Sequence, residues 1–279
     1  MENILITGVS TGIGYSLSKI YLNQGCRVFG SVRSNEDALR LSNDFGPHFF
    51  PLIFDVASYQ SVEDAVEEVQ TVIGNEGLSC LINNAGIAIG GPVMYIPIAD
   101  YQRQFDVNFF GQIAVTKAFL PLLGAVRNYP NRPGKILNMS SVSGQIAFPF
   151  MSPYCASKFA LEAFSDSLRR ELLLYGIDVI VIEPGPIKTP IWKKSASIPA
   201  EVLNSDFGPS MAKFGQQLGK SAKKGMEVDD LAEKVYKVYL KRNPKTRYVF
   251  TNKKFISYTI PRYLISQRRF DSFIKKMFF

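Results

Sequence analysis

Tyr154-Cys155-Ala156-Ser157-Lys158 places a phenol and an amine four residues apart, one turn along a single helix face. Ser152 and Pro153 just before them read as N-cap and first helical residue. A free tyrosine titrates at about 10 and is a poor base at neutral pH. A nearby ammonium favours the phenolate, so the pair can exchange a proton with a substrate oxygen. The same spacing also describes an ordinary solvated pair, so the neighbours decide. Ser141, thirteen residues earlier in Ser140-Ser141-Val142-Ser143-Gly144, offers a hydroxyl to a developing oxyanion. Asn108, polar among Val107, Phe109 and Phe110, is either a satisfied core amide or part of a proton path.

A second constellation binds rather than reacts. Gly8, Ser10, Thr11, Gly12, Ile13 and Gly14 lie in Thr7-Gly8-Val9-Ser10-Thr11-Gly12-Ile13-Gly14, between a strand-like run and a helix-like one. Glycines let the backbone turn tightly against a pyrophosphate, and the helix N-terminus offers it free N–H groups. Alone, the same string is moderate evidence, because a plain strand-to-helix turn can also carry it. An acid at the end of the second strand would bind a ribose 2′-hydroxyl, whereas a base accommodates a 2′-phosphate. Ser31-Val32-Arg33-Ser34 carries Arg33 and no acid, which favours NADP(H) over NAD(H). Glu36 and Asp37 follow closely and weaken that preference.

The elements that must hold these groups alternate. Strand-length apolar runs at 3–6, 27–31, 49–54, 79–82, 135–139, 177–182 and 247–250 are separated by helical patterns at 12–24, 59–73, 98–124, 152–174 and 227–240. Such alternation predicts an α/β fold, a Rossmann-type doubly wound parallel sheet of about seven strands with helices on both faces. A single domain over 1–250 is expected. It includes a Ser-, Lys-, Gly- and Pro-rich substrate loop at 190–224, on the sheet edge where open α/β folds bind ligands.

Composition excludes several classes. One histidine among 279 residues rules against histidine-base catalysis and multi-histidine zinc sites, so no metal is expected. His48 reads as a turn residue entering a strand. Cys26, Cys80 and Cys155 lack metal or redox spacing and read as small buried apolar residues. The strand-like run begins at Asn3, leaving no room for a signal peptide, and no apolar stretch is long enough to span a bilayer. A cytoplasmic location is therefore expected.

These residues together carry a family resemblance. The TGxxxGIG turn at 7–14, Asn83-Asn84-Ala85-Gly86, Asn108, Ser141 with YxxxK at 154–158, and Pro184-Gly185-Pro186-Ile187-Lys188-Thr189 occur in order. The chain resembles the short branch of the short-chain dehydrogenase/reductase family over residues 3–250. The run from Tyr154 to Arg170 is similar to members acting on 17β-hydroxysteroids and retinol. The resemblance implies that Tyr154 is the acid/base and that Lys158 holds the nicotinamide ribose and tunes Tyr154. It implies that Ser141 orients the carbonyl and Asn108 positions a water leading from Lys158 to solvent. Cofactor contacts are implied for Asp55, Val56, Asn83, Ala85 and Gly86 on the adenosine side, and for Pro184, Gly185, Ile187 and Thr189 near the carboxamide. Also implied are the sheet order 3-2-1-4-5-6-7 and homodimers or homotetramers packed through 98–124 and 152–174, where Ala156, Ala160 and Ala163 permit close approach.

Substrate and tail are less constrained. Ile191, Trp192, Ile198, Val202, Leu203, Phe207, Met211, Phe214 and Leu218, with Phe148 and Phe150, form either an apolar pocket or ordinary loop packing. The pocket reading gives a lipophilic ketone or alcohol: a steroid, retinoid or acyl-chain compound. Reduction of small polar carbonyls, a cofactor-sensing regulator and a sugar-nucleotide epimerase are the rivals. The intact Ser141–Tyr154–Lys158 set argues against the sensor, and the glycine spacing against the epimerase. Residues 251–279 mix aromatics with Lys253, Lys254, Arg262, Arg268, Arg269, Lys275 and Lys276 against Asp271 alone. This segment either packs on the domain or lies peripherally on a membrane surface. No recognition motif supports nucleic-acid binding.

Overall fold

The computed structural model describes residues 1–189, 191, 199–252 and 254–279. Trp192 and Ile198 of the expected substrate loop, and Lys253 of the tail, lie outside the described residues. Seven strands form one parallel sheet: β1 (Asn3–Ile6), β2 (Arg27–Val32), β3 (Phe49–Ile53), β4 (Cys80–Asn83), β5 (Lys135–Met139), β6 (Asp178–Pro184) and β7 (Arg247–Phe250). Their order is β3-β2-β1-β4-β5-β6-β7, the order the resemblance implied. The order reverses at β1, where Leu5 pairs with Phe29 on one side and Leu81 on the other. The crevice at such a reversal is where doubly wound sheets take their ligands.

Strand side chains alternate between two cores. Ile4 and Ile6 of β1 face α1 (Gly12–Asn23) and α9 (Val228–Tyr239), packing with Leu17, Tyr21, Leu231 and Val235. Leu5 faces α3 (Tyr59–Ile73) and α5 (Gly111–Phe119), packing with Val62, Val69, Val115 and Phe119. Helices on both faces explain why the strands read as unbroken apolar runs.

Three segments depart from the expectation. The helix expected over 98–124 is interrupted: α4 (Ile98–Phe105) gives way to a π-helical turn at Asp106–Phe110 before α5 begins, and α5 ends in a 3₁₀ turn at Pro121–Leu123. One wide turn in an α-helix rotates the side chains beyond it, and here the turn contains the fully buried Asn108. The segment expected as a loop at 190–224 contains α7 (Ala200–Leu203) and α8 (Gly208–Lys223). Met211, Phe214 and Leu218 recur at helical spacing in α8, and its inward side buries Met211. Finally, α2 (Asn35–Phe45) was not anticipated. Ser34 caps it by accepting a 3.2 Å hydrogen bond from Asp37 N.

Helix α6 (Ser152–Glu171) carries the Tyr–Lys pair. Beyond β7, a π-helical segment (Phe255–Leu264) and α10 (Gln267–Phe278) return to the body. Tyr258, Phe270 and Phe278 are buried there. His48 is exposed in the turn before β3, and the three cysteines are free and buried.

Candidate active site

Tyr154 and Lys158 are buried on one face of α6, and Ser141 is buried just after β5. The Ser141 hydroxyl hydrogen-bonds the Tyr154 phenol, which favours the phenolate, but burial outweighs it and pushes Tyr154 up to about 12. Lys158 is itself pushed down to about 8 by burial, with Glu162 opposing. Its ammonium donates a 2.7 Å hydrogen bond to Met139 O and lies 5.9 Å from the Tyr154 ring centroid. The groups that shift Tyr154 are its burial, Ser141 and Cys155. Removing a phenol from water disfavours its anion, and the hydrogen bond that opposes this comes from Ser141, not from Lys158. Tyr154 is a protonated donor at neutral pH.

Ser141 is fixed in turn. Ser143 N donates to its Oγ at 3.1 Å, and the hydroxyl also lies 3.5 Å from Pro184 O. Behind the pair, Ser157 Oγ donates to Tyr154 O at 2.8 Å and accepts from Asn108 Nδ2 at 3.3 Å.

Asn108 belongs to a row of amides that the sequence reading only partly recognised. Gln104, Asn108 and Gln112 succeed one another every four residues and are all buried. Asn108 Oδ1 accepts from Ile87 N at 2.8 Å and its Nδ2 donates to Ile87 O at 3.0 Å. Gln104 accepts from Ile89 N at 2.7 Å and donates to Ile87 O at 2.9 Å, while Gln112 donates to Ala85 O at 3.4 Å. The three side chains supply the chain leaving β4 with the hydrogen bonds a neighbouring strand would otherwise give. Gln104 and Gln112 could have been found as polar residues at four-residue spacing on a helix that also turns Val115 and Phe119 inward.

Asn83, expected on the adenosine side, is fully buried, and its Nδ2 donates to Thr116 Oγ1 and Asn138 Oδ1, both at 2.9 Å. Its neighbour Asn84 ties the loops instead, with Nδ2 donating to Thr7 O and Gly8 O at 2.9 and 3.0 Å. Ala85 N donates to Thr7 Oγ1 at 2.9 Å, and Gly86 is exposed beside Asn108. Asp55 is half-buried and accepts from Ala57 N at 3.0 Å, and Val56 is buried. Pro184 ends β6. Gly185 and Thr189 are half-buried, and Ile187 is buried next to Met226.

The glycine turn fits a dinucleotide. Gly8 stands at φ +70°, and a Cβ there would come 2.9 Å from Ala85 Cα. A Cβ on Gly14 would run into the Gly8 carbonyl, so only glycine lets this turn close. The α1 N-terminus begins after Thr11 with no side-chain cap and no acidic residue in its first turn, leaving its N–H groups and positive dipole end for a pyrophosphate. Arg33 is exposed at the end of β2. Arg40, unremarked in the sequence reading, donates to Ser10 O at 2.9 Å and pairs with Asp37 at 2.6 Å. Asp37 is thus held by a cation, which reduces its competition with a 2′-phosphate.

Tyr154 packs with Ala88, Met151 and Cys155, and with Ile191 and Phe214 at the edge. Phe150 adopts φ +64°, a backbone region that bulky residues avoid. Phe207, Phe214 and Phe279 surround its ring at 6.1, 5.5 and 5.9 Å between centroids.

Behind Lys158 lies a charged network that the sequence reading missed. Arg247 of β7 bonds Glu162 at 2.9 Å and Asp166 at 3.1 Å, with Glu183 at 3.6 Å. Glu162 stands one turn after Lys158 on α6, a spacing that could have flagged it.

Comparison with known proteins agrees with this geometry. The family model for short chain dehydrogenase matches residues 2–199. The chain is 40% identical over 276 residues to an NADPH-dependent 3-dehydrocapnine reductase from Ornithobacterium rhinotracheale, covering 99% of this chain and 97% of that protein. It is 33% identical over 260 residues to mouse (Mus musculus) retinol dehydrogenase 16, covering 88% and 79%. A solved short-chain dehydrogenase from Streptomyces avermitilis superposes with a TM-score of 0.78 at 22% identity, covering 99% and 94%. With its fold, its ordered motifs and these relatives, the chain belongs to the short chain dehydrogenase family of oxidoreductases.

Proposed function

We propose that this chain is an NADP(H)-dependent reductase of a ketone carried on a lipophilic, acyl-chain-like substrate. The observation that carries the reading is a buried Tyr154 phenol, protonated at neutral pH and hydrogen-bonded to Ser141, inside a cluster of apolar side chains. NADPH, when bound, would supply the hydride that the carbonyl carbon accepts. Tyr154 gives its proton to the carbonyl oxygen, and the Ser141 hydroxyl hydrogen-bonds that oxygen as charge develops on it. Lys158 completes the catalytic set toward the ribose hydroxyls, and Asn108 is a positioning residue behind it. With Asn108 committed to Ile87 and Ser157, its role is to hold the chain around 87 in place.

Gly8, Ser10, Thr11, Gly12, Ile13 and Gly14 would hold the pyrophosphate side, and Arg33 the 2′-phosphate. Asp55, Val56, Ala85 and Gly86 would flank the adenosine, with Asn83 bracing that wall from behind. Pro184, Gly185, Ile187 and Thr189 would hold the nicotinamide end. The relative named for NADPH supports this cofactor, and its substrate gives the first compound to try. The aromatic ring of Phe150, Phe207, Phe214 and Phe279 supports a lipophilic substrate over a small polar one.

The test is NADPH consumption with 3-dehydrocapnine and a panel of lipophilic ketones against small polar ketones and sugars. Faster turnover of the polar compounds would overturn the substrate class. The reading includes self-association through α4–α5 and α6, supported by the exposed Phe110, Phe159, Ala156 and Ala163 with the half-exposed Ala160. Ala160→Arg should lower the mass measured by light scattering, and an unchanged mass would remove that face from the assembly.

A further inference from the structure

The C-terminal segment has an inner face that the fold uses and an outer face that it does not. Inward, Tyr258 and Phe270 pack with Ile146 on the turn that follows Ser141, and Phe278 meets Phe214 at 5.7 Å between centroids. The segment is therefore held against the body. Outward, Phe255, Ile256, Tyr263 and Leu264 are 61, 64, 66 and 59% exposed, and Phe273 of α10 is 53% exposed. Lys254, Arg262, Arg268, Arg269, Lys275 and Lys276 are exposed among them, against Asp271 alone among residues 254–279. Among the described residues no helix is long and apolar enough to cross a membrane.

Large exposed apolar side chains on a folded segment mark a surface built to be covered. The interleaved cations choose what covers it. A second copy would bring two equally basic faces together. A nucleic acid would satisfy the charge but leave Ile256 and Leu264 without apolar contact. An anionic bilayer takes both, with basic groups at the headgroups and aromatic and aliphatic groups at the acyl boundary. A groove of about 510 Å³ runs between this segment and the loop before α6, with Ile146, Phe148, Pro261, Phe270 and Ile274 on its apolar wall and Gln145, Arg262, Gln267 and Asp271 also lining it. Its apolar wall gives an acyl chain contact along the docked side, and its charged rim faces the headgroups.

We propose that the outer face of residues 254–279 docks on the surface of an anionic lipid bilayer and presents the substrate side of the fold to it. The docking stands on the surface itself, and only the presentation of substrate rests on the function proposed above. The full chain, without cofactor or substrate, is sedimented with sucrose-loaded vesicles of phosphatidylcholine alone, or with about a third phosphatidylglycerol. Binding to the anionic vesicles should be at least about tenfold stronger and should weaken as salt is raised. Two variants, Phe255→Ser/Ile256→Ser/Leu264→Ser and Lys275→Glu/Lys276→Glu, should each lose about tenfold in that binding. Their melting temperature and NADPH affinity should stay those of the parent. Equal binding to both vesicles, no binding to either, or unchanged binding by both folded variants would overturn the docking. So would self-association lost in the triple variant with no vesicle binding by the parent, which would assign the face to a second copy. Because no turnover is measured, failure on lipophilic ketones leaves this result standing, and the reverse holds too.

Discussion

The Lys158 ammonium donates its 2.7 Å hydrogen bond to Met139 O, at the end of β5, from a position 5.9 Å from the Tyr154 ring centroid. The lysine is thus anchored to the sheet two residues before Ser141, and one strand end positions both groups around the phenol. Tyr154→Phe removes the proton donor while leaving that scaffold. Turnover should fall by about 10²–10⁴-fold, with NADPH affinity by fluorescence titration nearly unchanged. A variant retaining turnover would refute the role of Tyr154.

The same burial sets a pH dependence. With Lys158 pushed down to about 8, its ammonium is lost as pH rises through that value, while Tyr154, at about 12, stays protonated. If the charged lysine holds the cofactor, kcat/KM for NADPH should be level near neutrality and fall above about pH 8. Lys158→Arg keeps a cation at all these pH values, and whatever activity it retains should lack that fall. A parent profile flat to pH 10 would remove Lys158 from cofactor binding.

How much of this was legible follows from what the sequence signals encode. The strands at 3–6, 135–139 and 247–250 emerged because buried parallel strands are continuous apolar runs. Tyr154, Lys158 and Ser141 were visible because their chemistry requires fixed residue types at fixed spacing. The π-helical turn around Asn108 was not, because one wide turn barely disturbs a helical hydrophobic pattern. Helix α8 was obscured by glycine, lysine and serine, although Met211, Phe214 and Leu218 kept helical spacing. The depressed Lys158 and raised Tyr154 depend on burial, which spacing does not report. Arg247 reaches Glu162 only because β7 lies beside β6, a contact 85 residues apart in the chain.

The row of amides makes a sharper claim about Gln104. Replacing it by Leu leaves Ile89 N without its side-chain acceptor and removes one donor from Ile87 O. An unsatisfied buried polar group costs about 1–3 kcal/mol, measurable as a lower urea midpoint. Since that chain segment borders the proposed cofactor site, KM for NADPH should rise as well. Gln104→Glu can still accept from Ile89 N and should recover part of the loss. Unchanged stability in the Leu variant would show that the row holds nothing.

Cofactor choice should turn on Arg33. Arg33→Asp places an acid at the end of β2, which repels a 2′-phosphate and can accept from a ribose hydroxyl. The ratio of kcat/KM for NADPH to that for NADH should drop by roughly 10–100-fold. Arg40→Ala frees Asp37 and should shift the ratio the same way by less. No change in either variant would place the 2′-phosphate elsewhere.

Glu183 gives a stability prediction of opposite sign to the usual carboxylate. Burial, with Glu162 adding to it, pushes this fully buried group up to about 7, although Tyr258 and Arg247 oppose the shift. The folded chain therefore keeps a proton that the unfolded chain releases near its ordinary value of 4.5. Between those values the unfolded state binds fewer protons, so this group's contribution falls as pH rises from about 4.5 to about 7 and stays low above that. Glu183→Gln stays neutral throughout. It should raise the melting temperature at pH 8, by an amount on the order of 1–3 kcal/mol of stability, and change it little at pH 4.5. A less stable variant at pH 8 would mean that the 3.6 Å pairing with Arg247 outweighs the cost of burying the charge.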